Sequence, residues 1–128
     1  MKRFSVEGTP IQQGSMKFIR PGVMIHSRAE DLAIRRANIA YAAKEAGCTP
    51  ILDPISITMK FRVKKPKTVK RDFPTVAPDL DKYIRAVNDG LTGVAFADDS
   101  QVIKIVASKE YAENPGVDIE ISDGFDCL

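Results

Sequence analysis

The stretch Ile55-Ser56-Ile57-Thr58-Met59-Lys60-Phe61-Arg62-Val63-Lys64 alternates apolar and polar residues without a break. That period of two belongs to a strand with one face in a core and the other in water. A sheet with one covered face is therefore the first requirement on the fold. Helices are available to cover it. Leu80, Tyr83, Ile84, Val87 and Leu91 recur at i, i+3, i+4, i+7 and i+11, which predicts an amphipathic helix beginning just after Pro78-Asp79 and ending around Asp89-Gly90. Ser27-Arg28-Ala29-Glu30 has the form of a capping box. It predicts a further helix, with Leu32, Ile39, Ala40 and Ala43 on its apolar face and Gly47 as its stop.

The remaining elements are short. Phe4 to Gly8 reads as a strand running into a loop that carries Gly14, Ser15, Lys17 and Arg20, and Val23 to His26 as a second small strand. After a turn at Ala97-Asp98-Asp99-Ser100, Val102 to Ala107 reads as a largely buried strand. Val117, Ile119 and Ile121 alternate with Asp118, Glu120 and Ser122 as a last one. The order strand, helix, strand, helix, strand, strand predicts an α+β fold, a small mixed sheet covered by two main helices in two layers. A chain of 128 residues supports one domain, residues 1–128, and 44% hydrophobic with 28% charged residues excludes disordered, collagen-like and disulfide-framework classes.

No apolar run has the length of a signal peptide or a membrane helix, so a cytoplasmic protein without a membrane partner is expected. Cys48 and Cys127 have no second Cys or His near them and read as free thiols. Gly8 to Gly14 lacks the Gly-Lys-Ser/Thr of a phosphate-binding P-loop. His26 has no partner at ligand spacing, and Met16, Met24 and Met59 read as packing residues.

The formal charge of +2 conceals a segregation. Up to Arg71 there are 15 basic and 5 acidic residues (+10), and beyond it 4 basic and 12 acidic (−8). The basic part culminates in Lys60, Arg62, Lys64, Lys65, Lys67, Lys70 and Arg71, with no acidic residue among them. From about 64 to 77 the chain has no periodicity and reads as a mobile basic loop. Such a segment suits the tracking of a phosphate backbone, to which Lys17 and Arg20 could add contacts, with a solvated face and polar loop as the plain alternative. The acidic part carries Asp79 and Asp81 around the start of the second helix and Asp98-Asp99 in the turn about twenty residues later. If the strand after that turn lies beside the helix start, these carboxylates converge, and oxygen-only donors favour Mg²⁺ or Mn²⁺. A purely local reading is also open: Asp79 as an N-cap, Asp81 paired with Arg85, and Asp98-Asp99 as turn formers.

The run Pro78-Asp79-Leu80-Asp81-Lys82-Tyr83-Ile84-Arg85-Ala86-Val87-Asn88-Asp89-Gly90-Leu91-Thr92-Gly93, followed by Ala97-Asp98-Asp99-Ser100-Gln101-Val102, resembles the signature of the RusA family of Holliday junction resolvases. The resemblance implies a Mg²⁺ site on Asp79, Asp81 and Asp99, with Asp98 as a neighbour, and metal-assisted hydrolysis of phosphodiesters in four-way DNA junctions by a homodimer. Arg85 stands where some members carry a lysine and Lys82 where an asparagine is frequent. An arginine can hold a phosphate or offset developing charge but cannot serve as a general base. A non-catalytic DNA-binding protein of the same fold is the alternative. An acidic interaction module is a third reading, and it leaves the basic run unexplained.

Overall fold

The computed structural model describes residues 1–10, 18–20, 23–24 and 27–123, with side chains for 1–10 and 32–123. The elements are β1 (Lys2–Glu7), β2 (Phe18–Arg20), β3 (Val23–Met24), α1 (Ser27–Glu45), β4 (Ile55–Val63), α2 (Leu80–Leu91), a 3-10 turn (Asp99–Gln101), β5 (Val102–Tyr111) and β6 (Gly116–Asp123). Four strands form one sheet in the order β1-β6-β4-β5, while β2 and β3 pair antiparallel by themselves. β6 lies antiparallel between β1 and β4, whereas β4 and β5 are parallel. A parallel pair needs a crossover, and α2 supplies it. The protein is thus a single small α+β domain with two helices on one face of a mixed sheet.

The alternation in β4 does what its period requires. Ile55, Ile57, Met59 and Phe61 are buried to 1% exposure or less and join Val117, Ile119 and Ile121 of β6 beneath the helices. Each such side chain contributes about 1.5–3 kcal/mol relative to exposure. α1 brings Ile39 and Ala43 to this core, and α2 brings Tyr83, Ala86, Val87 and Leu91. The Phe61 and Tyr83 rings stack with centroids 5.1 Å apart, fixing the first turn of α2 over the end of β4. Past α1, Gly47 takes φ +87° and donates to the Lys44 carbonyl, the left-handed stop that a glycine permits. The Ser27-Glu30 capping box concerns side chains outside the described residues, as do His26, Cys127 and Met16. Cys48 is a free thiol whose pKa is raised by burial.

The other face of the sheet is polar. Arg62 reaches Glu7 of β1 and Asp118 of β6, both at 3.2 Å, and donates to the Asn114 carbonyl at 2.8 Å. Arg3 pairs with Glu120, Lys60 with Glu110, and the Ser5 hydroxyl donates to Asp118. Gly116 is required beside this network, because a Cβ there would stand 2.5 Å from an Arg62 nitrogen and 2.7 Å from the Val6 carbonyl oxygen.

β5 departs from the sequence reading. It is an edge strand and not a buried one: Ile103 is 54%, Val106 53% and Ile105 38% exposed. Its apolar composition matched a central strand, but composition does not say on which side a neighbour stands. Among the described residues only β4 pairs with it. The hairpin strand β2 lies in what reads from sequence as loop.

Candidate active site

The first group of functional side chains sits where α2 begins. Asp79 holds the N-cap position, yet its carboxylate makes no capping hydrogen bond. Asp81, in the first turn, forms no ion pair with Arg85, and neither do Lys82 and Arg85 find partners among the described residues. The local reading of Asp79 and Asp81 is therefore not realised. Two carboxylates and two cations stand unspent at one helix end, where exposed amides and the helix dipole favour negative charge.

Asp98 and Asp99 are placed differently. Asp98 caps the 3-10 turn by accepting from the Ser100 amide at 3.2 Å. The Gln101 side-chain oxygen accepts from the Ala97 and Asp98 amides, while its nitrogen donates to the Ile51 and Asp53 carbonyls. That carboxamide welds the acidic turn to the chain entering β4. The Ser100 amide and the Asp99 side chain hold the Asp98 carboxyl below the usual carboxylate range. The hydrogen bond with Asp98, followed by desolvation and the negative charges of Asp98 and Asp89, pushes Asp99 above it. In an NMR pH titration the pair is therefore expected to straddle the ordinary midpoint of about 3.9, and Asp98→Asn to bring the Asp99 midpoint down. An Asp99 midpoint unmoved by that substitution would contradict the coupling.

The two acidic groups do not meet within one chain. Lys109 of β5 bonds to Pro78, just before α2, so the end of β5 lies beside the start of the helix. Asp89, near the end of the helix, is the α2 residue whose charge acts on Asp99, just before β5. Helix and strand therefore run antiparallel, and Asp81 stands about 12 Å along the helix axis from Asp89, the α2 carboxylate that Asp99 feels. The convergence expected from sequence needed β5 to begin beside the start of α2, whereas it ends there. Among the described residues no three carboxylate, thiol or imidazole groups are grouped to hold a metal ion.

The basic segment lies at the Asp79 end. No helix or strand occurs between Val63 and Leu80, and Lys64, Lys65, Lys67, Lys70 and Arg71 are exposed. Arg71 donates to the Tyr111 hydroxyl at 2.9 Å, and the Lys65 ammonium stands 5.8 Å from the Tyr111 ring centre. A cavity of about 180 Å³ beneath the segment is lined by Lys64, Pro66, Arg71, Pro78, Lys109 and Tyr111 among others. Lys60 and Arg62, the first two cations of the run in sequence, lie on β4. They point from β4 into the ion pairs of the open sheet face, and the Arg62 side chain is only 16% exposed. Lys17 lies outside the described residues. Lys109 and Tyr111 give no signal in sequence because their part in the site depends on a strand end meeting a loop 31 to 40 residues earlier.

Paired carboxylates without histidine, next to an exposed run of lysines, suit the class of proteins that meet a polyanion. The comparisons narrow the class to one family. The chain matches the family model described as endodeoxyribonuclease RusA over residues 7–122. It is also 31% identical over 136 residues to the uncharacterized protein YqaN of Bacillus subtilis (strain 168), covering 94% of this chain and 95% of that protein. The chain belongs to the RusA endodeoxyribonuclease family, the nucleases that resolve Holliday junctions. No helix among the described residues is long and apolar enough to cross a membrane.

Proposed function

We propose that this protein is a divalent-cation-dependent endodeoxyribonuclease that resolves four-way DNA junctions as a homodimer, in the recombination and repair of DNA in the cytoplasm of a cell or an infected host. The observation that carries the reading is the unspent state of Asp79 and Asp81 beside an exposed basic segment in a chain of this family. Among the described residues, a single chain does not bring three such ligands together. Two chains do so if their β5 edges pair antiparallel about a two-fold axis, because the start of one β5, with its Asp99, then meets the end of the other, with its Asp79 and Asp81. The exposed apolar residues Ile103, Ile105 and Val106 support that seam, since an uncovered edge strand of this kind invites a partner strand.

In this reading Asp79 and Asp81 of one copy and Asp99 of the other are the cation's ligands, with Asp98 shaping the turn. Mg²⁺, or Mn²⁺ in its place, supplies Lewis acidity and lowers the pKa of water when bound. The chain's own residues hold the DNA. Lys64, Lys65, Lys67, Lys70 and Arg71 grip backbone phosphates, while Lys82 and Arg85 offset charge that grows on the phosphate under attack. Two sites related by a two-fold axis suit a junction that needs a nick in each of two strands. The test is incubation with a synthetic four-way junction with and without Mg²⁺, with Asp81→Asn as control. Paired nicks that require both the cation and Asp81 are expected. Binding without nicking would favour a non-catalytic DNA-binding protein, and equal nicking by Asp81→Asn would sink the acidic site.

A further inference from the structure

We propose that Lys109 is a positioning residue that sets the carboxylates at the start of α2, an inference that rests on the acidic site just described. Its ammonium donates to the Val76 carbonyl at 2.8 Å and to the Pro78 carbonyl at 3.0 Å, three positions and one position before Asp79. Lys109 pairs in register with Phe61 of β4, on the face of the sheet that the helices cover, and is itself half-buried. The alternating positions Ile105, Ala107 and Tyr111 are apolar or aromatic, so a cation at this place costs desolvation that an apolar residue would avoid. The two carbonyls offset that cost.

The segment has little else to hold it. Its own backbone bonds, Val69 to Pro66 and Thr75 to Phe73, are internal. Its other ties to the body include Arg71 and Lys65 on Tyr111 and the buried Pro74, and all of them lie before Val76. Pro74 and Pro78 have no amide proton to give. Two ordered carbonyls immediately before Asp79 therefore fix the direction in which the chain enters α2, and with it the place of the Asp79 and Asp81 carboxylates. A displacement of about 1 Å at such a point costs on the order of 100-fold in rate.

Lys109→Met keeps the apolar stem and removes the donors, and Lys109→Arg keeps donors. Three measurements on the full-length protein decide the matter: junction nicking in Mg²⁺, junction affinity without metal, and amide hydrogen exchange. For Lys109→Met, nicking is expected to fall about 100-fold. Metal-free affinity should stay within about twofold, because the phosphate-gripping lysines remain. Exchange should quicken at residues 75–83 and not in β4 or β6, and Lys109→Arg should recover much of the nicking. Wild-type nicking by Lys109→Met, where Asp81→Asn is dead, would overturn the role, as would faster exchange throughout the sheet. Should Asp81→Asn nick normally, the acidic site itself fails; unchanged exchange at 75–83 would then dispose of the Lys109 tie as well.

Discussion

Asp81→Asn and Asp99→Asn proteins, each expected to lose about 100-fold or more of junction nicking, are expected to recover a good part of it when mixed and allowed to exchange subunits. The geometry behind this is the opposite placement of the two acidic groups along α2 and β5. In a mixed dimer, one site draws Asp79 and Asp81 from the Asp99→Asn copy and Asp99 from the Asp81→Asn copy, and is intact. The other site carries both lesions. Random exchange puts about half of all dimers in the mixed form, each with one working site, so roughly a quarter of the wild-type sites return. The product should be nicked on one strand, since a mixed dimer cannot make the second cut. Rates measured on equimolar mixtures of the two variants check this. A mixture as inactive as its components would mean that both groups serve the same chain's site, against the separation seen in the structure.

Replacing Lys64, Lys65, Lys67 and Lys70 together by Gln is expected to lower the slope of log affinity against log salt by about 3.6, at about 0.9 for each phosphate no longer neutralised on duplex arms. Affinity at physiological salt should fall by roughly 100- to 1,000-fold. Lys60→Gln is the informative contrast. Lys60 sits with Glu110 on the open sheet face, so its loss should leave both slope and affinity near the wild-type values. Titrations by fluorescence anisotropy at several salt concentrations distinguish the two groups. If Lys60→Gln changes the slope as much as a loop lysine does, DNA lies across the sheet and not along the segment before α2.

The period of β4, the stripe of α2 and the alternation of β6 were legible because each records a local relation between one element and the core. The architecture followed from their order. The burial of β5 was not legible, since Val102 to Ala107 has the composition of a central strand and only the sheet order shows that nothing described stands beyond it. Similar reasoning applies to the candidate site. Asp79, Asp81, Asp98 and Asp99 were all visible as a motif, but whether they meet depends on the direction in which α2 passes β5. The run of like charges from Lys60 to Arg71 crosses from a strand face to a loop at Val63, and the ion pairs that Lys60 and Arg62 make on the sheet face give no signal in sequence. Lys109 gives no local signal, and its meaning lies wholly in two carbonyls of another segment.

The Gln101 carboxamide, bonded on one side to the acidic turn and on the other to Ile51 and Asp53, has a consequence for how chains of this kind can diverge. It pins one end of β5 to the chain entering β4, and Lys109 pins the other end to the approach of α2. The strand between them becomes a ruler whose graduations are residues. Insertions in the basic segment or between β5 and β6 leave the ruler's length alone. A single residue gained or lost inside β5 would change the distance between the acidic turn and Asp79, and would turn every later side chain to the opposite face. Length variation in related chains should therefore collect in the loops and spare this strand.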